Sequence, residues 1–103
     1  MAIYRRVLTG QVAAGEHGEF LAAVEAALEY QAQRGIDARF SVWDSITGPA
    51  NQVEIISEFD TLSELEQFEE LVAQDQTFAE LRARVRESMV FETTEITLYR
   101  SLV

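Results

Sequence analysis

The hydrophobic period of the sequence switches between that of a strand and that of a helix, and this order of periods is its most constraining feature. Residues 3–12 mix β-formers with polar residues and predict a strand. From Glu19 the apolar residues fall at helical spacing, and Gly35 is placed to end that helix. Two further alternating runs, 37–45 and 52–59, flank a turn-rich loop, so they predict an antiparallel hairpin.

The second half of the sequence predicts a further helical region followed by a closing strand. Thr61-Leu62-Ser63-Glu64 has the form of a capping box and predicts a helix start near Thr61. Asp75 predicts a break or a second N-cap before a further helical stretch, and the alternation over 91–103 predicts a long final strand. The resulting order is βαββαβ, the ferredoxin-like arrangement of the α+β class, with helices on one face of a four-stranded antiparallel sheet.

Length and charge restrict the number of domains and the kind of partner. The chain has 103 residues, 48% of them hydrophobic, which suffices for one core, so we expect a single ferredoxin-like domain over 1–103. Eighteen acidic residues oppose eight basic ones, for a formal net charge of −10. Nucleic acid and anionic membranes would be repelled, and we expect neither as a partner.

The residue inventory excludes several classes of chemistry. The sequence has no cysteine and one histidine, so it offers no disulfide, no thiolate metal site and no multi-histidine metal or haem site. It also contains no glycine-rich phosphate loop and no nucleophile elbow. We therefore expect no metal and no cofactor. No apolar stretch is long enough for a signal peptide or a membrane span, which predicts a cytoplasmic protein.

The sheet of such a fold has a second face that the helices do not cover. Strand residues of one parity enter the core and the others form this second face, but the sequence leaves open which parity does which. We expect the second face to carry Tyr99, Ile56 and either Trp43 or Phe40 among charged and hydroxyl side chains. Mixed faces of this kind often bind a partner, so the sequence predicts a homodimer in which two sheets enclose a space.

Several segments resemble one superfamily. Residues 15–21, Gly-Glu-His-Gly-Glu-Phe-Leu, are similar to the opening of the first helix in the dimeric α/β barrel superfamily, which includes antibiotic-biosynthesis monooxygenases, haem-degrading monooxygenases and NIPSNAP-like proteins. Residues 48–56, 58–65 and 75–78 resemble the NIPSNAP-type turn, strand and helix opening. The resemblance implies a homodimer with facing sheets and, in ligand-binding members, a pocket between sheet and helices.

The resemblance does not extend to haem chemistry. Haem-degrading members use an asparagine in the first strand, a tryptophan near the end of the third strand and a histidine on a helix. Here the first strand has no asparagine, Ser57 stands at the tryptophan position, and the second helical region has no histidine.

Three residues are candidates for a catalytic base. An imidazole exchanges protons near neutral pH, so His17 is either a general base or an exposed residue at a helix start. Glu58 and Glu95 could serve as a base if both point into one closed space, or they could form salt bridges across the sheet.

The candidate ligand-binding residues are aromatic or cationic. Trp43 could form an aromatic wall or pack in a core or dimer interface, and Tyr99 and Tyr4 carry the same ambiguity. Arg39 could bind a small aromatic ligand's carboxylate or phenolate, or pair with a neighbouring glutamate. The run Arg82, Arg84 and Arg86 is interpreted as a solvated helix face.

Two functions are compatible with these features. The first is a small-molecule-binding protein that acts as a cofactor-independent monooxygenase or isomerase on an aromatic or polyketide-like substrate. The second is a non-catalytic, NIPSNAP-like homodimeric module. A ligand-sized cavity lined by Trp43, Tyr99 and His17 would favour the first, and a filled interior would favour the second.

Overall fold

The fold is α+β, as the hydrophobic periods predict. The computed structural model describes residues 3–36 and 39–102. Its sheet has four antiparallel strands in the order β2-β3-β1-β4, and three α-helices lie in the described ranges. The elements are β1 (Tyr4–Gln11), α1 (His17–Gln33), β2 (Arg39–Asp44), β3 (Gln52–Phe59), α2 (Leu62–Gln74), α3 (Gln76–Glu87) and β4 (Glu95–Arg100). The order confirms the ferredoxin-like prediction; the predicted beginning of the second strand, at residue 37, lies outside the described residues.

The start of α2 has nearly the predicted capping box. Thr61 Oγ1 accepts a hydrogen bond from the Glu64 backbone N–H at 3.1 Å, which satisfies one of the helix's free donors. Glu64 Oε2 accepts from the backbone N–H of Asp60, at 3.0 Å, rather than from that of Thr61. The reciprocal hydrogen bond is thus shifted by one residue, but both side chains still fix the start of α2.

Asp75 is the second N-cap and separates α2 from α3. Its Oδ1 accepts from the Phe78 backbone N–H at 3.1 Å, and the Tyr30 hydroxyl donates to both carboxylate oxygens, at 3.0 and 2.8 Å. Arg34 Nε lies 3.4 Å from Asp75 Oδ2. These contacts favour the ionised form and lower the pKa of Asp75, the Phe78 N–H contributing most and Tyr30 next. One carboxylate therefore holds the ends of three helices together.

The closing strand is shorter than predicted. The alternation over 91–103 predicts one long strand, but β4 is only six residues long because Phe91–Thr93 form a short 3₁₀ turn. Thr93 Oγ1 accepts from the Gln11 backbone N–H at 2.9 Å and donates to the Val90 carbonyl at 2.6 Å. A threonine counted as a strand residue thus fixes the turn before the strand. The last residue of the predicted strand lies outside the described residues.

The face of the sheet that the helices cover, called the covered face below, carries the core in two clusters. The register aligns Leu8 and Val42 with Ile55, and these side chains point toward the helices. An aliphatic cluster comprises Leu8, Val12, Phe20, Ala23, Val24, Val53, Val85 and Met89. An aromatic cluster comprises Phe59, Phe68, Val72 and Phe78, with Tyr30, Ile36, Phe40 and Leu65 packed against it.

The opposite face, called the open face below, carries the residues of the other parity. Its middle row runs from Ser41 through Ile56 and Val7 to Thr97. Trp43 and Tyr99 lie on this face and are 59% and 54% exposed. Phe40 packs in the aromatic cluster, so of the two alternatives Trp43 is the open-face aromatic residue.

One edge of the covered side remains uncovered. Ile96 and Leu98 align with Leu8 and Arg6, so they point toward the side of the helices, yet both are about half exposed. The helical layer therefore leaves the outer strand β4 largely open. No helix in the described ranges is long and apolar enough to cross a bilayer.

Candidate ligand-binding site

A cavity of about 70 Å³ lies between the sheet and the helices. Its walls draw on both core clusters, because the aliphatic side chains of one and the aromatic side chains of the other do not close fully against each other. The lining residues are Arg6, Leu8, Val24, Ala27, Leu28, Gln31, Phe40, Val42, Ile55, Ser57, Phe68, Phe78, Arg82, Val85 and Arg86. Most of this surface is apolar, with a few polar groups that converge on it, which is the general composition of a small-molecule site.

Three phenylalanines form one wall. Phe68 of α2 lies with its ring centroid 5.7 Å from that of Phe40 and 6.0 Å from that of Phe78. The contact with Phe78 is edge-to-face, which restricts the ring orientations. The wall is thus preorganised for an apolar or aromatic group.

Two buried polar residues belong to the lining. Gln31 Nε2 donates to the Ile36 carbonyl at 3.5 Å, so this amide is partly engaged at the end of α1. Ser57 is 2% exposed, and its hydroxyl makes no hydrogen bond to a side chain or backbone group within residues 3–36 and 39–102. That hydroxyl can donate to or accept from a molecule in the cavity.

Arginines form the third part of the wall. The Arg6 side chain on β1 is 16% exposed and that of Arg82 on α3 is 23% exposed. Arg6 Nε lies 3.5 Å from Glu69 Oε1, and Arg82 Nη1 lies 3.7 Å from Glu69 Oε2. Burial lowers the pKa of both guanidinium groups, although Glu69 opposes the shift and Arg86 adds to it. The site therefore concentrates positive charge beside an apolar cavity.

The interpretation of Arg82, Arg84 and Arg86 as a solvated face holds for Arg84 and Arg86, which are exposed, but not for Arg82, whose side chain is only 23% exposed. Residues four apart share a face of a helix, so Arg82 and Arg86 both border the cavity. Arg84 points elsewhere and is exposed, as predicted. The alternation of arginine with small residues conceals this spacing.

The predicted binding residues Trp43, Tyr99 and Arg39 lie on the open face and do not line the cavity. The Trp43 indole N–H donates to Ser41 Oγ at 2.9 Å, which fixes the ring against its own strand. Arg39 Nη2 donates to Asp60 Oδ1 at 2.8 Å, and both partners are about half exposed. The salt-bridge alternative thus describes Arg39, with an aspartate beyond the strand as its partner.

The two glutamates proposed as a base are at opposite ends of the open face, on β3 and β4. Glu58 aligns with Arg5 and Glu95 aligns with Thr9, on different neighbours of β1. Four residues along the strands and two strand spacings across give roughly 16 Å between them. Glu58 instead accepts from Arg5 Nη2 at 3.1 Å. The structure does not bring these carboxylates together.

His17 and Tyr4 also lie away from the cavity. His17 is the first residue of α1, is exposed, and its Nε2 lies 3.2 Å from Asn51 Oδ1. Tyr4 is at the end of β1, aligned with Phe59, and is partly buried. Neither residue is among those that line the cavity.

The sequence reasoning missed Arg6 and Glu69 and underrated Arg82. A usable signal exists for Arg6, which shares its strand parity with the core residue Leu8. No comparable signal marks Glu69, because it is one of many glutamates on α2. Within the described part of the chain, the arginines are the only strongly ionisable groups that line the cavity, so its lining can stabilise negative charge. No cluster of three or more potential metal ligands occurs within the described ranges.

Solved structures with the same fold include NIPSNAP proteins and antibiotic biosynthesis monooxygenase-like proteins. The sequence itself matches no protein-family model and no curated protein. A NIPSNAP domain protein from Burkholderia xenovorans is 24% identical, with 96% of this chain and 92% of that chain covered and a TM-score of 0.72. An antibiotic biosynthesis monooxygenase-like protein from Nitrosomonas europaea is 19% identical, with 97% and 90% covered and a TM-score of 0.73.

A more distant sequence has the same fold. A variant of SnoaB, a cofactor-independent oxygenase from Streptomyces nogalater, is 13% identical, with 98% of this chain and 94% of that chain covered and a TM-score of 0.72. At these identities the likeness establishes the ferredoxin-like α+β fold. The solved structures include both proteins of unknown function and monooxygenase-like proteins. They therefore favour neither a monooxygenase nor a non-catalytic module for this chain.

Proposed function

We propose that this protein binds a small organic molecule in the cavity between its sheet and its helices. The observation that carries the proposal is the convergence of an aromatic wall, the buried Ser57 hydroxyl and the side chains of Arg6 and Arg82 on one cavity. A purely structural core would gain stability by filling such a gap with aliphatic side chains.

The volume limits the occupant. About 70 Å³ holds only a few water molecules, whereas pockets for drug-sized ligands typically exceed roughly 300 Å³. A larger ligand would have to push back the side chains at the mouth. Leu28 and Arg86 are exposed lining residues and can move without disturbing the buried clusters.

The chemistry of the lining supports binding more directly than catalysis. SnoaB is a cofactor-independent oxygenase, and chemistry of that kind on an aromatic substrate needs a group that removes a proton or a substrate that enters as an anion. Guanidinium groups stabilise an anion but do not accept its proton. His17, Glu58 and Glu95 remain predictions as bases, and each would have to act from outside this cavity.

A cavity-filling variant tests the proposal. Ser57→Leu should fill the space, and Ala32→Leu, on the exposed side of α1, is the matched control. A fragment library is titrated into ¹⁵N-labelled protein, and amide shifts are followed. We expect saturable shifts around the cavity in the native protein and the control, and their loss in Ser57→Leu. Equal binding by all three proteins would contradict a ligand site here.

The open face supports a second proposal, self-association into a homodimer. Trp43 and Tyr99 expose more than half of their surfaces on this face, on either side of the row that holds the partly buried Ile56 and the buried Val7. Exposed aromatic groups of this size mark protein interfaces more often than free surface.

The charges of the open face are also suited to a second copy. Arg5 and Arg39 lie at one end of the face, while Glu54 and Glu95 lie at the other and make no ion pair within the described ranges. A two-fold axis that reverses the strand direction would set the arginine end of one copy over the glutamate end of the other.

Sedimentation equilibrium tests the dimer. The native protein should sediment at twice the mass of one chain, and Trp43→Glu should weaken association at least tenfold by placing a charge in the interface. Leu21→Glu is the control, since Leu21 is similarly exposed but lies on α1. A native protein that stays monomeric at millimolar concentration would contradict this proposal.

A further inference from the structure

We infer that the occupant of the cavity is an organic anion, a carboxylate with a small apolar or aromatic body, whose charged group takes the place of Glu69 between Arg6 and Arg82. This inference rests on the proposed function and specifies the class of ligand. The body of the molecule would lie against the phenylalanine wall, with Ser57 available to a second polar atom.

The first support is the weakness of the existing counter-ion. The distances from Glu69 to Arg6 and Arg82, 3.5 and 3.7 Å, exceed the roughly 2.7–2.9 Å of charge-assisted hydrogen bonds. The contacts are made through Nε of Arg6 and Nη1 of Arg82, and both are longer than the contacts of a well-formed bidentate pair. Glu69 is also 40% exposed and can rotate into water at small cost. A ligand carboxylate between the two arginines could make the shorter, forked contacts that Glu69 does not make.

The second support is the local balance of charge. The chain carries a formal net charge of −10, yet three of its eight basic residues, Arg6, Arg82 and Arg86, border one small cavity. Glu69 is the one carboxylate recorded in an ion pair with these arginines among the described residues. Two of the guanidiniums are largely shielded from water, and such charges are costly unless they are paired. An anionic ligand supplies the missing pairing, whereas a neutral or cationic one would not.

The third support is the direction in which the arginines lie from the apolar space. Arg6 comes from the sheet and Arg82 from α3, and both approach the same Glu69 carboxylate, so their charged groups lie together at one edge of the cavity. A carboxylate that replaced Glu69 there would leave its apolar body free to extend along the lining toward the phenylalanine wall. A free inorganic anion would use the arginines but leave that wall uncovered.

Matched pairs of charged and neutral probes test the inference. Benzoate and benzamide form one pair and butyrate and butyramide a smaller one, titrated at constant ionic strength into ¹⁵N-labelled protein while backbone and arginine Nε signals are followed. We expect benzoate or butyrate to bind at least tenfold more tightly than its amide. Arg82→Gln should remove most of that preference, and Arg84→Gln, on the exposed side of the same helix, should change it less than twofold.

Glu69→Gln gives a readout that does not depend on losing an arginine. Removal of the competing carboxylate should tighten binding of the acid several-fold and leave binding of the amide unchanged. Equal affinity for acid and amide, unaltered by Arg82→Gln and Glu69→Gln, would overturn the anionic ligand but leave the cavity a binding site. If no probe binds, and if Ser57→Leu binds the same fragments as the native protein, both proposals are overturned.

Discussion

Arg5 and Arg6 are neighbours in the sequence and lie on opposite faces of the sheet. The Arg5 side chain is 50% exposed and its Nη2 lies 3.1 Å from Glu58 on the open face. The Arg6 side chain is 16% exposed, and its Nε lies 3.5 Å from Glu69 beside the cavity. The exposed arginine thus has the close partner and the shielded one has the distant partner, the reverse of what stability alone would favour.

This contrast distinguishes the two faces of the sheet. On the open face, both Arg5 and Arg39 have close carboxylate partners and the unusual feature is exposed aromatic surface, which suits a protein partner. On the covered face, charge is incompletely paired and borders a largely apolar cavity, which suits a small ligand. The strand parity that separates the two arginines therefore also separates the two proposed functions.

The largest predicted difference between the faces is in the free energy of unfolding. Phe20 is almost completely buried under the helices, and Phe20→Ala should lower the unfolding free energy by about 3–5 kcal/mol. Trp43→Ala on the open face should lower that of the separated chain by less than about 1 kcal/mol, because the ring is mostly exposed.

Urea denaturation at micromolar concentration measures both variants, and sedimentation then measures their association. Phe20→Ala should leave the open face able to associate if the fold survives, whereas Trp43→Ala should not. Similar losses of stability from the two substitutions would show that the open face is not exposed in the separated chain.

The second difference concerns the two glutamates that partner Arg5 and Arg6. Glu69→Gln should cost about 1 kcal/mol, because it leaves two shielded guanidiniums without a counter-ion. Glu58→Gln should cost less than about 0.5 kcal/mol, as exposed ion pairs usually do. The smaller effect should disappear in 0.5 M salt and the larger one should mostly persist. The reverse ranking in urea denaturation would refute the comparison.

The third difference concerns two serines of opposite parity. Ser57→Val should raise the free energy of unfolding by up to about 1 kcal/mol, since it places methyl groups in the cavity. Ser41→Val on the open face removes the acceptor of the Trp43 indole and should change stability by less than about 0.5 kcal/mol. Thermal unfolding of the two variants checks this. A destabilised Ser57→Val would mean that the hydroxyl has a structural role.

The smallest predicted effect is confined to acid and concerns the helices of the covered side. The pKa of Asp75 is lowered in the folded chain, first by the Phe78 N–H and then by Tyr30. A carboxylate with a lowered folded-state pKa stabilises the protein above its unfolded pKa, and that contribution is lost as pH falls through the folded value. Asp75→Asn should therefore have a lower free energy of unfolding than the native protein at neutral pH. This difference should disappear in acid, as urea denaturation at a series of pH values would show.

Tyr30→Phe serves as the control for this titration. It removes the contacts of the Tyr30 hydroxyl with the carboxylate but keeps the hydrogen bond from the Phe78 N–H. The difference in unfolding free energy between Tyr30→Phe and the native protein should therefore be smaller, and it should disappear over the same pH range. A gap for Asp75→Asn that does not vary with pH would show that the carboxylate does not act through its charge.

The sequence predicted the elements well because local signals were consistent with the global fold. Asp75 and Thr61 are caps whose chemistry acts within three residues, and both occupy the predicted positions. The final strand was overestimated because Thr93 satisfies the alternating pattern while its hydroxyl forms a turn. Side-chain hydrogen bonds of that kind compete with strand pairing and are not visible as periodicity.

The site was harder to predict than the fold because it depends on which strand face the helices cover. Trp43, Tyr99 and Arg39 were favoured for their chemistry, and parity places all three on the face opposite the cavity. Arg6 and Arg82 are brought together only by tertiary packing, since 76 positions separate them along the 103-residue chain. No local sequence pattern indicates that two residues so far apart in the chain lie close together in the fold.

Native mass spectrometry of protein purified gently from the cells that make it tests the central claim most directly. We expect the native protein to retain a small acid, released on activation in the gas phase, and we expect Ser57→Leu, prepared identically, to carry none. A native protein recovered without any bound molecule, and indistinguishable from Ser57→Leu apart from the mass of the substitution, would contradict the claim that this cavity exists to hold a ligand.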